Sequence, residues 1–163
     1  MKSDLIQLSP IGTIHTPYLH RADVPIQSTL SDGVEGTVEI FQPFIEGLKD
    51  VEGFSHILLL FFFHQSEGYK LQVTPFLDNV LHGVFATRAP RRPNMIGLSV
   101  VELVRVEKNI LHIKNVDMID GTPLIDIKPY VPVFDKIENP KIGWLTGKIG
   151  PDDRPGADNR FMA

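Results

Sequence analysis

The chain has 163 residues, of which 42% are hydrophobic and 22% charged, a composition typical of one globular domain and not of a disordered or fibrous protein. It contains no cysteine, which excludes disulfides, thiolate catalysis and cysteine-ligated metal sites. Its formal net charge of -4 means that any contact with nucleic acid must use a local basic patch.

Two features bear on where the protein works. The first residues include Asp4 and lack the uninterrupted apolar segment of a signal peptide. The longest apolar run, 57–63, is far shorter than the roughly 20 residues that a membrane-spanning helix needs. We therefore expect a cytoplasmic protein without a membrane partner.

Short apolar segments separated by Gly and Pro predict an all-β domain. Residues 34–41 alternate apolar and polar side chains, as a half-buried strand does. Residues 54–64 are apolar on both faces, which predicts a central strand covered on both sides. Residues 104–113 contain a turn-forming Asn109 between two apolar stretches, which predicts a hairpin.

One internal segment and the C-terminus depart from the strand pattern. Pro43 suits the first position of a helix, apolar residues follow it at helical spacing, and Gly53 can end the helix, so we expect one short helix there. The stretch after residue 140 is rich in Gly, Pro and Asp and has no sustained period. We therefore assign 1–140 to the domain and 141–163 to a loose C-terminal tail.

The densest cluster of unusual residues is 83–98, GVFATRAPRRPNMIGL, where a strand runs into a loop. Pro90 and Pro93 fix two backbone φ angles, so the loop presents its arginines in few conformations. These arginines are Arg88, Arg91 and Arg92. A preorganised guanidinium binds phosphate or carboxylate through paired hydrogen bonds. The alternative is a solvated loop whose arginines keep the rim of the domain soluble.

A second cluster is 117–130, DMIDGTPLIDIKPY, with a turn at Asp120-Gly121. Asp126 and Lys128 occupy alternate strand positions and share a face. The simplest interpretation is a hairpin turn followed by a surface ion pair. The functional alternative is that the backbone of 120–123 lines a ligand pocket.

The third cluster is His64-Gln65, where the most apolar strand meets two side chains that donate and accept hydrogen bonds. The six histidines show no adjacent ligand spacing, so we expect no metal site. The motifs of P-loop, Rossmann, serine-hydrolase and zincin sites are missing as well. From the residues alone, the function stays open between several kinds of β domain with an arginine-rich site.

Four long segments carry a more specific signal: IGTIHTPY from Ile11, GFSHILLLFFFHQ from Gly53, GVFATRAPRRPNMIGLSVVEL from Gly83, and DMIDGTPLIDIKPYVPVFD from Asp117. In this order they resemble the TsaA-like family, also called TrmO or tRNA (N6-threonylcarbamoyladenosine-37) methyltransferase. Matches of this length are far more specific than a short motif.

The resemblance implies a single-sheeted β-barrel with one short helix and peripheral loops, and a homodimer with its sites near the subunit interface. It implies S-adenosylmethionine as methyl donor and tRNA as substrate, methylated on N6 of threonylcarbamoyl-adenosine at position 37. The cofactor contacts of the family carry over to the following residues: Pro25, Ile26, Gln27, His64, Gln65, Arg88, Leu98, Asp120, Gly121, Thr122 and Pro123.

The sequence departs from the family pattern at two positions. Met95 stands where RPNPIG-like members carry proline, and Ile26 stands where many relatives carry arginine in a P-R-Q word. The chain also ends soon after the barrel, whereas some bacterial members continue into a C-terminal extension. If that extension helps to hold tRNA, this protein uses another surface or another substrate.

Methyl transfer from a sulfonium requires alignment of donor and acceptor and no covalent nucleophile. The N6 proton must leave, and three side chains are candidate acceptors: Asp126, Asp120 and His64. We expect Arg91 and Arg92, with Arg88, to hold the threonylcarbamoyl carboxylate or tRNA phosphates. The alternatives are a non-catalytic RNA-binding barrel, an S-adenosylmethionine-sensing barrel and a metal-dependent enzyme of cupin type.

Overall fold

The computed structural model describes residues 5–26 and 31–150. Within these ranges the strands are β1 (Gly12–His15), β2 (Glu35–Ile40), β3 (His56–Phe62), β4 (Gln72–Val73), β5 (His82–Gly83), β6 (Ile96–Glu107), β7 (Ile110–Lys114) and β8 (Thr122–Pro129). The helical segments are the one-turn helix α1 (Pro132–Asp135) and 3₁₀ turns at Arg21–Asp23, Gln42–Leu48, Val51–Gly53, Val84–Ala86 and Gly143–Leu145. Among these described segments, no helix has the length and apolar character needed to cross a membrane.

Six strands close into one antiparallel barrel in the order β1-β2-β7-β6-β3-β8, and β8 pairs back onto β1. The prediction of an all-β fold built on a single-sheeted barrel is confirmed. Because the sheet closes on itself, its six strands have no free edge. The remaining strands, β4 and β5, form a separate two-stranded ribbon.

Alternate side chains of each strand point into the barrel, as the strand period requires. In β2, Val38 and Ile40 are at most 1% exposed while Glu35 and Glu39 face solvent, so the alternation predicted for 34–41 is confirmed. The buried side chains of the interior are Ile14, Val38, Ile40, Ile57, Leu59, Phe61, Val101, Leu103, Leu111, Ile113, Val116, Met118 and Leu124.

Strand β3 is central, since it pairs with β6 on one side and β8 on the other. Our expectation that both of its faces are covered is correct for the inner face alone. Its outward side chains are half-buried at Leu58 and Leu60, and Phe62 is 40% exposed. The reason is that a barrel has one interior, so the outer face of a central strand has no second layer over it.

A bulge changes which face of β8 is buried. Leu60 pairs with Asp126 but the next residue, Phe61, pairs with Leu124, so Ile125 is an extra residue in β8. The bulge places Asp126 on the outer face beside Leu60 and returns Ile127 to the inner face.

The hairpin predicted over 104–113 is confirmed as β6 and β7, which pair up to Glu107 and Ile110. Lys108 adopts the left-handed φ of 57° that a two-residue turn needs. Asn109 donates from Nδ2 to the carbonyl of Ile40 at 3.0 Å, which ties the turn to β2.

The short helix expected from Pro43 to Gly53 is present as two 3₁₀ turns, Gln42–Leu48 and Val51–Gly53. Asp50 lies between them with a left-handed φ of 68°, which stops the first turn from continuing. This segment covers one end of the barrel and, with Ile11 and Ile40, encloses a cavity of about 570 Å³.

Residues 143–148 belong to the stretch expected to form a loose tail, yet they pack against the ribbon region. Trp144 donates from Nε1 to the carbonyl of Ala86 at 2.8 Å and stacks on His82 at 4.5 Å between ring centroids. Lys148 forms an ion pair with Asp78. The signal missed in the sequence is the single Trp of the chain, an amphipathic side chain that usually packs against the fold and bonds its N–H. Residues 151–163 of the expected tail lie outside the described residues.

The end of the barrel opposite the 3₁₀ cover is called the mouth here. Antiparallel pairing brings the end of β1, the end of β3 and the starts of β6 and β8 to this end. Connecting loops at the mouth are 16–26, 63–95 and 115–121. All three clusters noticed in the sequence therefore have residues at one end of the molecule.

Candidate active site

His64 and Thr122 meet at the mouth. His64 follows the end of β3 by two residues, and Thr122 begins the neighbouring strand β8. The Thr122 hydroxyl lies 3.5 Å from His64 Nδ1 and donates to the carbonyl of Ile119 at 2.6 Å. Because that hydroxyl proton is already used, the contact with Thr122 fits the tautomer in which Nδ1 carries the proton. In that tautomer the lone pair is on Nε2 of His64.

The environment favours the neutral form of the His64 ring. Partial burial lowers the pKa of His64, a backbone hydrogen bond at Phe62 opposes the shift, and the positive charge of Arg21 lowers the pKa further. A neutral imidazole with Nε2 unprotonated is a competent proton acceptor.

The turn before β8 is held by backbone and side-chain bonds to the loop after β1. Gly121 has a left-handed φ of 77° and donates to the carbonyl of Ile14 at 2.9 Å. The Asp120 carboxylate accepts from the backbone N–H of Thr16 at 3.1 Å and lies 3.4 Å from His15 Nδ1. Asp120 therefore shapes the turn, and both of these contacts are made by its Oδ1.

A buried polar group that the sequence analysis missed lies just inside the mouth. Ser99 is 5% exposed and donates to the Asp117 carboxylate at 2.6 Å. Burial raises the pKa of Tyr18, and the nearby charge of Asp117 raises it further. The available signal was Ser99 itself, a polar residue among the inward apolar positions of β6.

Leu98 and Asp126 share the outer wall of the barrel, one on each side of β3. Both pair with Leu60, and all three side chains point outward. Leu98 is 53% exposed, and the predicted ion pair between Asp126 and Lys128 is present at 2.8 Å.

Residues 87–95, called the arginine loop here, connect the 3₁₀ turn Val84–Ala86 to β6. The arginine loop packs on the β4–β5 ribbon through Ala89, which is buried with Val73 and Val84. Arg92 donates from Nη1 to the carbonyls of Thr87 and Ala89, at 3.2 and 3.3 Å. This guanidinium therefore braces its own loop, a role that the sequence did not suggest.

The other two arginines differ from Arg92. Arg88 is exposed, whereas Arg91 is half-buried and its Nε has no hydrogen-bond partner among the described residues. A buried donor without a partner is costly, so Nε of Arg91 is suited to an anionic ligand. The role of Arg91 and Arg92 in binding substrate stays a prediction.

The remaining residues predicted to contact the cofactor are spread around the mouth. Gln65 is exposed. Pro25 and Ile26 are half-buried just after the first 3₁₀ turn, whereas Gln27 lies outside the described residues. Pro123 is half-buried in β8, where it pairs with β1.

Met95, one of the two departures from the family pattern, lies at the end of the arginine loop and directly before β6. Its carbonyl accepts from the backbone N–H of Phe63 at 2.8 Å. A proline at this position would keep that carbonyl, because proline loses only its own N–H. The departure therefore preserves the bond between the loop and the end of β3.

Among residues 5–26 and 31–150, no group of three or more His, Asp or Glu side chains is arranged to hold a metal ion. The side chains that come together are those of the mouth, while Leu98 and Asp126 lie on the outer wall midway along the barrel, and Asp126 also lines the cavity under the 3₁₀ cover. The site is thus an open surface made of polar mouth residues, an apolar outer wall and an arginine loop.

Comparison with known proteins adds three findings. A family model described as the tRNA-methyltransferase O N-terminal domain matches residues 13–136. A probable S-adenosyl-L-methionine-binding protein of Pyrococcus abyssi is 52% identical over 159 residues, covering 98% of this chain and 86% of that protein. The tRNA (adenine(37)-N6)-methyltransferase of Escherichia coli is 38% identical over 141 residues, covering 80% of this chain and 60% of that protein.

The fold also has a solved counterpart. The crystal structure of TrmO from Pseudomonas aeruginosa superimposes with a TM-score of 0.73 at 39% identity, covering 86% of this chain and 62% of that one. The chain therefore spans somewhat less than two thirds of the Pseudomonas and Escherichia proteins.

Proposed function

Because the chain belongs to the tRNA-methyltransferase O family, we propose that it methylates N6 of adenosine 37 in tRNA with S-adenosylmethionine as the methyl donor. The substrate in this proposal is threonylcarbamoyl-adenosine, and the site of action is the cytoplasm. The observation that supports the proposal is the position of His64 beside Thr122 at the barrel mouth, where burial lowers the pKa of the ring.

The residues present suit the chemistry of the cofactor. S-adenosylmethionine carries a carboxylate, an ammonium group, ribose hydroxyls and an adenine ring, and it supplies an electrophilic methyl group on sulfur. Nε of Arg91 is a buried donor that no described residue uses, and Leu98 offers an exposed apolar side chain. The Asp126 carboxylate, on the same wall as Leu98, can accept hydrogen bonds from ammonium or hydroxyl groups.

The contacts of the three candidate proton acceptors support a choice among them. Asp120 is bonded to Thr16 and lies against His15, and Asp126 is paired with Lys128. Protonation of either carboxylate would weaken these contacts, which involve both oxygens of Asp126 and Oδ1 of Asp120. His64 is therefore the acceptor that we propose for the N6 proton, taken up at Nε2.

The arginine loop supplies positive charge that the chain as a whole lacks, since its net charge is -4. Arg88 is exposed, and Nε of Arg91 has no partner within the described part of the chain. These two are proposed to hold the tRNA phosphates or the threonylcarbamoyl carboxylate. Arg92 is proposed to act by keeping the loop in shape.

A homodimer is part of the proposal because the outer wall of β3 and β6 is apolar. Phe62, Ile96 and Leu98 are 40%, 37% and 53% exposed, and they lie next to one another in the β3–β6 register. A contiguous apolar patch of this kind is characteristic of an interface. A second copy on this wall would cover Leu98 and close the open side of the site.

The experiment is methyl transfer from labelled S-adenosylmethionine to tRNA with and without the threonylcarbamoyl group, with the adenosine product identified by mass spectrometry. We expect transfer to N6 of adenosine 37, lost in His64→Ala and retained in His56→Ala, a histidine at the opposite end of β3. Binding of S-adenosylmethionine without transfer to either tRNA would favour a sensing barrel. Binding of tRNA alone would favour a non-catalytic RNA-binding barrel.

A further inference from the structure

Residues 143–148, called the strap here, connect the C-terminal part of the chain to the region just before the arginine loop. The indole N–H of Trp144 bonds to the carbonyl of Ala86, two residues before Arg88. Thr87, the next residue, accepts at its carbonyl from Arg92. The start of the arginine loop is therefore bonded both to Trp144, which lies outside the loop, and to Arg92, which belongs to it.

The strap has a second anchor in a small charged cluster. Asp78 contacts His82 Nε2 at 2.9 Å and pairs with Lys148. Lys148, His82 and the backbone N–H of Asn79 hold the pKa of Asp78 well below its usual range. The indole of Trp144 stacks on His82 and has Lys148 at 5.8 Å from its ring centre.

These contacts join distant parts of the chain. Trp144 and Ala86 are 58 residues apart, and Lys148 and Asp78 are 70 apart. They tether the segment before the arginine loop to the part of the chain that follows β8, which local bonds within the loop cannot do.

We propose that the strap is a positioning device for the arginine loop, with Trp144 as the positioning residue. It acts on Arg88 and Arg91 through the backbone of 86–89 and touches neither substrate nor cofactor. The effect on tRNA rests on the function proposed above, whereas the effect on the loop itself does not. Losing one hydrogen bond of this kind corresponds to about a 2- to 10-fold change in an equilibrium constant.

The loop effect is measured by hydrogen exchange and by limited trypsin cleavage of the full chain. Trypsin cuts after Arg88 and Arg91 but not at Arg92, which precedes Pro93. In Trp144→Ala we expect cleavage at these two sites, and exchange of the amides of 84–92, to rise about 2- to 10-fold at constant global stability. Trp144→Phe keeps a ring to stack on His82 but lacks the indole N–H, so its loop should show an intermediate effect.

The matched control is Phe134→Ala, which removes another large apolar side chain from the C-terminal part of the chain. Phe134 is 80% exposed, so loop exchange and cleavage should stay at the wild-type level. Equal loop protection in wild type, Trp144→Ala and Trp144→Phe would overturn the proposal. Equal loss of protection throughout the barrel would also overturn it, since it would mean a general structural role.

The functional consequence is read from the split between KM and kcat in the methyl-transfer assay. We expect Trp144→Ala to raise the KM for tRNA by about 2- to 10-fold, with kcat nearly unchanged. An unchanged KM alongside a loosened loop would overturn the link to substrate. Absence of methyl transfer by the wild-type protein would instead refute the proposed function, and the exchange data would still decide whether the strap positions the loop.

Discussion

Gly97 offers the sharpest test of how the barrel is packed. It pairs with Phe61 across β3 and β6, and a Cβ placed at this position would meet three ring carbons of Phe61, the farthest of them at 2.8 Å. Phe61 is 3% exposed and packs edge-on against Phe63 at 5.3 Å between ring centroids. The ring therefore has little room to move when Gly97 is replaced by alanine.

Overpacking of a well-packed core costs about 1 to 3 kcal/mol. For a domain of this size that cost lowers the melting temperature by about 2 to 12 °C. For Gly97→Ala we expect this loss of free energy in urea unfolding and this decrease in melting temperature in thermal unfolding, both followed by circular dichroism. Because Phe63 precedes His64, displacement of the Phe61 ring should also weaken binding of S-adenosylmethionine in a calorimetric titration.

Two further variants make the test specific. Gly47→Ala serves as the control, because a Cβ at that position would have no described neighbour within 4 Å, and its stability should stay within about 0.5 kcal/mol of wild type. The double variant Gly97→Ala/Phe61→Leu should lose less stability than the sum of the two single variants, because the shorter side chain vacates the contested space. Wild-type stability of Gly97→Ala, or additive losses in the double variant, would refute this account of the packing.

Three more expectations concern polar groups. Replacing Ser99 by alanine removes a buried hydrogen bond to the Asp117 carboxylate, and we expect a loss of about 1.5 to 3 kcal/mol in urea unfolding; a loss below about 0.5 kcal/mol would contradict it. The pKa of His64 is lowered, so kcat/KM should fall only as the pH drops below about 6.5, and any residual transfer by His64→Gln should lack that dependence. The pKa of Asp78 is lower in the folded chain than in the unfolded chain, where it is about 4. The stability contributed by its contact with Lys148 is therefore fully present above about pH 4. That stability is lost as the pH falls through the lower pKa of the folded chain. Loss of the contact should change the fluorescence of the single tryptophan, Trp144. In Asp78→Asn the same change in fluorescence should be present already at pH 7.

Local sequence patterns predicted the elements whose structure depends on residues close to one another in the sequence. The alternation in β2 and the turn of the β6–β7 hairpin depend on residues a few positions apart, and both are confirmed. The short helix after Pro43 was predicted from apolar spacing, but its division into two 3₁₀ turns was not, because that spacing carries no information about the left-handed φ of Asp50.

Long-range pairing explains what the sequence did not reveal. The contact between Ser99 and Asp117 forms only when the barrel brings the start of β6 next to the loop before β8. The hydrogen bond from Trp144 to Ala86 likewise joins segments 58 residues apart. The clusters at His64, Arg88 and Asp120 were noticed because their residue types are unusual, but how they lie relative to one another depends on barrel closure.

The extra residue at Ile125 has a consequence for how β8 can change length. In a regular strand, deleting one residue turns every following side chain to the opposite face. Deleting Ile125 would instead join Leu124 directly to Asp126, and both would keep their present partners on β3 and their present faces. Deleting Ile127, by contrast, would carry the charge of Lys128 into the barrel interior. We therefore expect that relatives with a shorter or straighter β8 have lost the residue at position 125 and no other.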